Sequence, residues 1–273
     1  MALKIFISVD MEGISGVVHR DHTGRNGKDY DLACRLMTLE ANAAIEGAFD
    51  AGADEVVVSD SHGTFRNLIP DLLDPRALLI TGTPVPLGMM SGIDDSFGAA
   101  ICVGYHNRAG TLGILDHTIS SAAVYDYRIN GQSQSELGIN VGIAAQFGVP
   151  IVLVTGDSET SAMARELIPG VETASVKEAF ARHAARGLSP QRARELVRER
   201  ATRAVERRAE ISTVSHDVPV TIEVQFMYSS MAQLATLIPG VESPDPLTAS
   251  YTSSDYIEAV NCMRAAIVLA GTV

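Results

Sequence analysis

Cysteine is scarce in this chain: Cys34, Cys102 and Cys262 are the only three among 273 residues. An odd number with no CxxC pair excludes a disulfide framework and a thiolate zinc site. Long hydrophobic runs are missing as well. No apolar stretch approaches the roughly 20 residues that span a bilayer, and Met1-Ala2-Leu3-Lys4 has no basic segment leading into an apolar core of the secretory kind. The expectation is a soluble cytoplasmic protein without a membrane partner. Positive charge is in deficit, with 21 Lys and Arg against 33 Asp and Glu and a net charge of −12. Such a surface repels phosphate, which argues against a nucleic-acid partner. Internal repeats and low-complexity tracts are absent. Apolar residues are plentiful at 46%, enough for one large domain or two modest ones.

Four near-continuous apolar runs read as strands buried on both faces: 3–10, 55–60, 99–105 and 151–155. Residues 77–81 read as a possible fifth. Helical patterns alternate with them at 30–51, 135–147 and 159–168, closed by Gly52, Gly148 and Pro169-Gly170. This alternation predicts an α/β fold, a three-layer α/β/α arrangement with a mixed, largely parallel central sheet. From about residue 172 the character changes. Ser189-Pro190 reads as an N-cap with proline at N1, opening a helix through Arg208. Residues 182–208 hold nine Arg and three Glu, a local +6. A charge run of this kind reads as an exposed helix complementing an acidic body, with a docking surface as the alternative. Val218 to Phe226 alternates like a half-buried strand, and Asp255-Tyr256-Ile257-Glu258 opens a final helix to about Leu269. The chain reads as a single catalytic domain over 1–273, with a possible C-terminal subdomain from about 212–217 onward.

Residues able to bind metal collect at strand ends. Asp10 and Glu12 close the first strand, two apart and so on one side of an extended chain. The second ends in Asp60-Ser61-His62-Gly63 and the third in Gly104-Tyr105-His106. In open α/β sheets the ligand crevice lies beyond the carboxyl ends of the strands. Two carboxylates side by side lose hydration and repel each other, and a cation relieves both problems. Taken singly, each residue has a structural reading: Asp60-Ser61-His62-Gly63 as a turn, and Ser133-Gln134-Ser135-Glu136 as a capping box. Jointly, His and carboxylate without Cys suit Zn²⁺, with Mn²⁺, Co²⁺ or Fe²⁺ as other occupants. Four or five such ligands fit two metals sharing a carboxylate. His19, His22, His183 and His216 read as surface residues, the first two near the mouth of the site.

Ser8-Val9-Asp10-Met11-Glu12-Gly13 resembles the SxDxEG signature of the D-aminopeptidase family of dinuclear zinc metallopeptidases. The likeness continues through Asp60-Ser61-His62, Gly104-Tyr105-His106, Asp116-His117-Thr118, Ile129-Asn130-Gly131, Glu136-Leu137-Gly138 and Leu167-Ile168-Pro169. The resemblance implies two divalent ions per chain, with Asp10 bridging them. Glu12 and His106 would complete one metal, and His62 and Glu136 the other. His117 matches the family's catalytic histidine. A homo-oligomer, a decamer, is also implied. The chain departs from the family pattern in one extra residue between His117 and Glu136 and in acidic Asp116, which would raise the basicity of His117.

The function expected is a metallo-aminopeptidase that removes N-terminal residues, D-residues among them, from short peptides or amino-acid amides. An acidic rim would suit the substrate ammonium, and Asp60 is a candidate to orient a ligand histidine. The rival readings are a dinuclear phosphoesterase or non-peptide amidohydrolase, with Arg108 as an assisting cation, and a peptide-binding protein that does not cleave.

Overall fold

The structure is a computed structural model that describes residues 2–273. Strand β1 (Lys4–Val9) leads through the short α1 (Arg20–Thr23) into the long α2 (Tyr30–Asp50), then β2 (Glu55–Asp60), β3 (Leu78–Ile80) and β4 (Ala99–Tyr105). A hairpin of β5 (Val124–Ile129) and β6 (Gln132–Ser133) precedes α3 (Glu136–Gln146), β7 (Ile151–Asp157) and α4 (Ser158–Leu167). Next come β8 (Glu172–Ala181), β9 (Ala184–Gly187), α5 (Pro190–Glu206) and β10 (Val220–Phe226). The chain closes with α6 (Ser229–Ala235), β11 (Glu242–Asp245), β12 (Thr248–Ser253) and α7 (Tyr256–Ala270).

Seven strands form the main sheet in the order β3-β2-β1-β4-β7-β8-β9, all parallel except β9, which runs antiparallel to β8. This is the mixed, largely parallel sheet that the apolar runs predict. Ile5, Phe6, Ile7 and Val9 of β1 are all buried, as a strand covered on both faces requires. On α2, Ala33, Met37, Ala41, Ala44 and Ala48 form a buried stripe at helical spacing. α2 packs against α5 and the strands beneath, while α3 and α4 also lie on sheet strands. The basic run does form an exposed helix: Arg198 of α5 reaches Glu46 and Asp50, and Arg200, Arg203 and Arg207 converge on Glu172.

A second, antiparallel sheet has the order β11-β12-β10-β5-β6. In β10, Val220, Ile222, Val224 and Phe226 are buried while Thr221, Glu223 and Gln225 are not, as the alternation predicts. Its partner β5 comes from the middle of the chain, so this sheet draws strands from both sides of residues 212–217. β5, β8 and β12 escape the sequence reading because their runs carry polar and charged residues. In β5, Asp126 and Arg128 satisfy each other at 2.7 Å. Among the described residues no helix is long and apolar enough to cross a membrane.

Candidate metal centre

The strand order places β1 between β2 and β4, with the chain passing to β2 on one side and β4 lying on the other. That is the topological switch point, where a parallel sheet leaves a crevice. Backbone hydrogen bonds fasten the three strand ends together: Asp10 N to Val103 O at 2.8 Å, Ser61 N to Val9 O at 2.8 Å and Gly13 N to Gly104 O at 2.7 Å. The approach is so close that only glycine is accommodated. Gly104 has φ +70°, and a Cβ there would sit 2.3 Å from Asp10 O; a Cβ on Gly13 would sit 2.1 Å from Tyr105 O. Asp10, His62 and His106 thereby emerge side by side.

Glu136 arrives from a different direction, as the first residue of α3. The capping box expected of Ser133 to Glu136 does not form. Ser135 is the N-cap and accepts from Gly138 N, which leaves the Glu136 carboxylate free to face the crevice. There Glu136 accepts from Ile119 N at 2.6 Å. His117 stacks on His106, with ring centroids 4.2 Å apart and planes within 10° of parallel.

All six residues meet. His62 Nδ1 lies 3.2 Å from Asp10 Oδ1 and 3.0 Å from Glu12 Oε2. His106 Nε2 lies 3.3 Å from Asp10 Oδ2 and 3.4 Å from Glu136 Oε2. His117 Nε2 lies 3.9 Å from Glu136 Oε1. The two oxygens of Asp10 thus address opposite sides of the cluster. His62 shares its side with Glu12, and His106 shares the other with Glu136 and His117. The ligand atoms of Asp10, Glu12 and His106 also lie within 4.8 Å of one another, as do those of His106, His117 and Glu136, so Glu12 stands within reach of a cation shared with His106 as well as beside His62.

The tautomers follow from the other ring nitrogens. His62 Nε2 donates to Thr23 O, His106 Nδ1 to Asn107 O and His117 Nδ1 to Leu115 O, each at 2.9 Å. Carbonyls only accept, so each neutral ring turns a lone pair toward the carboxylates. Asp10 Oδ2, Glu12 Oε2 and His106 Nε2 are buried with no hydrogen-bond partner. Lone pairs facing carboxylate oxygens across about 3 Å require a cation between them. Without one, the rings must hold protons. Burial depresses the His106 pKa, but Glu136, Asp10 and Glu12 outweigh it and hold it up at about 10. Burial and Glu12 push Asp10 up to about 7. His117 behaves oppositely: burial and then His106 lower its pKa, so its ring is neutral at pH 7. The donor set, oxygen and imidazole nitrogen without sulfur, fits zinc or another borderline divalent ion.

Several sequence expectations change here. Asp116 does not act on His117: its carboxylate is held by Arg182 at 2.8 Å and Gly110 N at 2.9 Å. Asp60 touches no ligand ring and instead accepts from Asn67 N, Asn67 Nδ2 and Leu68 N, shaping the loop after His62. Arg108 turns to Ala109 O and takes no part in the cleft. The sequence reading missed Lys177, buried on β8. Its ammonium donates to Glu12 O at 2.6 Å, Ile14 O at 2.8 Å and Val17 O at 2.5 Å, clamping the loop that carries Glu12. A lysine at an inward position of an alternating strand is the only trace this leaves in the sequence.

Asp10, His62, His117 and Glu136 form the floor of a cleft of about 570 Å³. Its walls are not the acidic rim expected but apolar, with Val85, Leu87, Met89, Ile139, Ile143 and Val260 prominent.

Comparison with known proteins agrees with this geometry. A family model described as D-aminopeptidase (Peptidase_M55) matches residues 3–265. The D-aminopeptidase of Bacillus subtilis (strain 168) is 36% identical over 262 residues, covering 96% of this chain and 95% of its own. A solved structure, described as the Zn-dependent D-aminopeptidase DppA from Bacillus subtilis, a self-compartmentalizing protease, superposes with a TM-score of 0.96 at 34% identity, covering 99% of both chains. With its family match over nearly the whole length, the chain belongs to the D-aminopeptidase family.

Proposed function

We propose that the protein is a metal-dependent aminopeptidase that removes N-terminal residues, D-residues among them, from short peptides or amino-acid amides. The observation that carries this reading is the convergence of three imidazole lone pairs on three buried carboxylates, two of which, Asp10 and Glu12, have an unpartnered oxygen. In this reading Asp10, Glu12, His62, His106 and Glu136 would hold two divalent cations, zinc by similarity to the zinc-dependent relative. Glu12 and His106 would complete one, and His62 and Glu136 the other. When bound, such ions supply Lewis acidity to a scissile carbonyl and lower the pKa of a water from 15.7 toward about 7.

The chain's own residues do the rest. Leu115 O fixes the His117 ring, and burial keeps it neutral, so its Nε2 is free to accept a proton and return it to the leaving amine. General acid–base help of this kind contributes about 10²–10⁴-fold. The apolar walls exclude water around the substrate side chain. The self-compartmentalizing relative supports a homo-oligomer, and the family resemblance a decamer, which light scattering on purified protein would measure.

Protein purified without chelator should carry close to two equivalents of divalent metal per chain and hydrolyse aminoacyl amides rather than a chromogenic phosphate ester. Glu12→Ala should lose metal and turnover together. His117→Ala should keep the metal and lose about 10²-fold or more in kcat. Metal-free protein, or a fully active His117→Ala, would defeat the proposal.

A further inference from the structure

The cleft has a second chemical pole. Helix α7 presents Val260, Arg264, Ile267 and Val268 to it, at the i, i+4, i+7, i+8 spacing of one helical stripe. Among the described residues Arg264 is the only lysine or arginine that lines the cleft. Its Nη1 donates to Pro86 O at 2.7 Å and, with Nη2, to Val85 O at 3.3 Å. Among the described residues no carboxylate lies within ion-pair distance of it, and its Nε–H has no acceptor. Gly88, at φ +57°, makes room for the guanidinium, since a Cβ there would lie 3.0 Å from Arg264 Cζ. Burial pulls the Arg264 pKa down while Tyr127 opposes it, and the carbonyls of Val85 and Pro86 are the guanidinium's partners among the described residues.

A buried-edge guanidinium with an unused donor in a ligand cleft is matched by a planar anion, above all a carboxylate. The floor holds acids and the wall a cation, and a free short peptide has an ammonium at one end and a carboxylate at the other. A volume of about 570 Å³ is in the range of small-ligand sites.

We infer that Arg264 forms a carboxylate subsite that selects short peptides with a free C-terminal carboxylate over the same peptides blocked as amides. The inference rests on the aminopeptidase reading above. It makes Arg264 a specificity-determining residue whose effect is on KM.

The test is steady-state kinetics on D-Ala-D-Ala and its C-terminal amide, with L-Ala-L-Ala and its amide alongside. Wild-type protein should show a KM for the free acid about tenfold to a hundredfold below that for the amide, the scale of one charge-assisted pair. Arg264→Gln should raise the KM for the acid to that of the amide, leaving kcat and the amide KM unchanged. Arg264→Lys should recover part of the preference. Equal KM values in the wild type, or equal losses on acid and amide in Arg264→Gln, overturn the inference. The wild-type ratio decides the matter even if the variant does not fold. Hydrolysis of both substrates without preference refutes this subsite alone, whereas hydrolysis of neither refutes the aminopeptidase reading.

Discussion

Replacing Lys177 with Met tests how the site is held together. Methionine keeps the length of the side chain and removes its donors. In the structure the ammonium satisfies the carbonyls of Glu12, Ile14 and Val17. Ile14 O also accepts from Val17 N, but among the described residues Glu12 O and Val17 O have no other donor. Two orphaned buried carbonyls cost about 1–3 kcal/mol each. Glu40 and Asp157, whose charges face Lys177, lose their cation as well. Against this, the ammonium's desolvation cost disappears. The net loss should be about 3–5 kcal/mol, the scale for breaking a buried ionic cluster, or a fall in apparent Tm of about 6–20 °C for a chain of this size. Because the released loop carries Glu12, metal content should fall with it. Differential scanning fluorimetry at equal protomer concentration, with metal analysis of the same samples, reads both. Lys4→Met, which breaks the exposed pair with Glu55, is the control and should leave Tm nearly unchanged. A Lys177→Met protein that melts within about 3 °C of wild type with full metal content would refute the clamp.

Gly104→Ala places a Cβ 2.3 Å from Asp10 O at φ +70°, so the strand ends must separate; metal analysis should find it depleted, and a metal-replete variant would contradict the close-approach argument. For the chelated protein, pH acts through raised pKa values. Asp10, raised from 3.8 to about 7, and His106, raised from 6.5 to about 10, both bind protons more tightly when folded. Their contribution is full at low pH and drains away as pH rises through those values, so chelated protein should melt lower at pH 8 than at pH 6. Saturating Zn²⁺ should flatten or reverse that slope, because the deprotonated forms are the metal-binding ones. A chelated protein that melts higher at pH 8 would contradict the assigned cluster.

Asp10, Glu12, His62 and His106 are legible in the sequence because each ends an apolar run, and strand periodicity fixes which way it faces. Glu136 and His117 have no such frame. One opens a helix and the other lies in a loop, and only the family resemblance brings them in. That β2 and β4 flank β1, which is what brings the three strand ends together, could not be read, since strand order is not written in local pattern. Asp116 shows the opposite failure: it adjoins His117 in the chain, yet the backbone turns it toward Arg182. Lys177 and Arg264 act on or beside main-chain carbonyls, and a carbonyl carries no side-chain signature. The second sheet is half legible, β10 by its clean alternation and β5 not at all, because its charges neutralise each other.

The pairing of β5 with β10 bears on how such a chain comes into being on the ribosome. Until the residues from 220 onward emerge, the hairpin that leads into Glu136 lacks its neighbour on the open edge. A nascent polypeptide therefore displays Asp10, Glu12, His62 and His106 well before it has a settled Glu136, and hydrolytic competence arrives late in synthesis. By the same logic, fragments cut near residue 215 should be inert alone and regain function only when mixed.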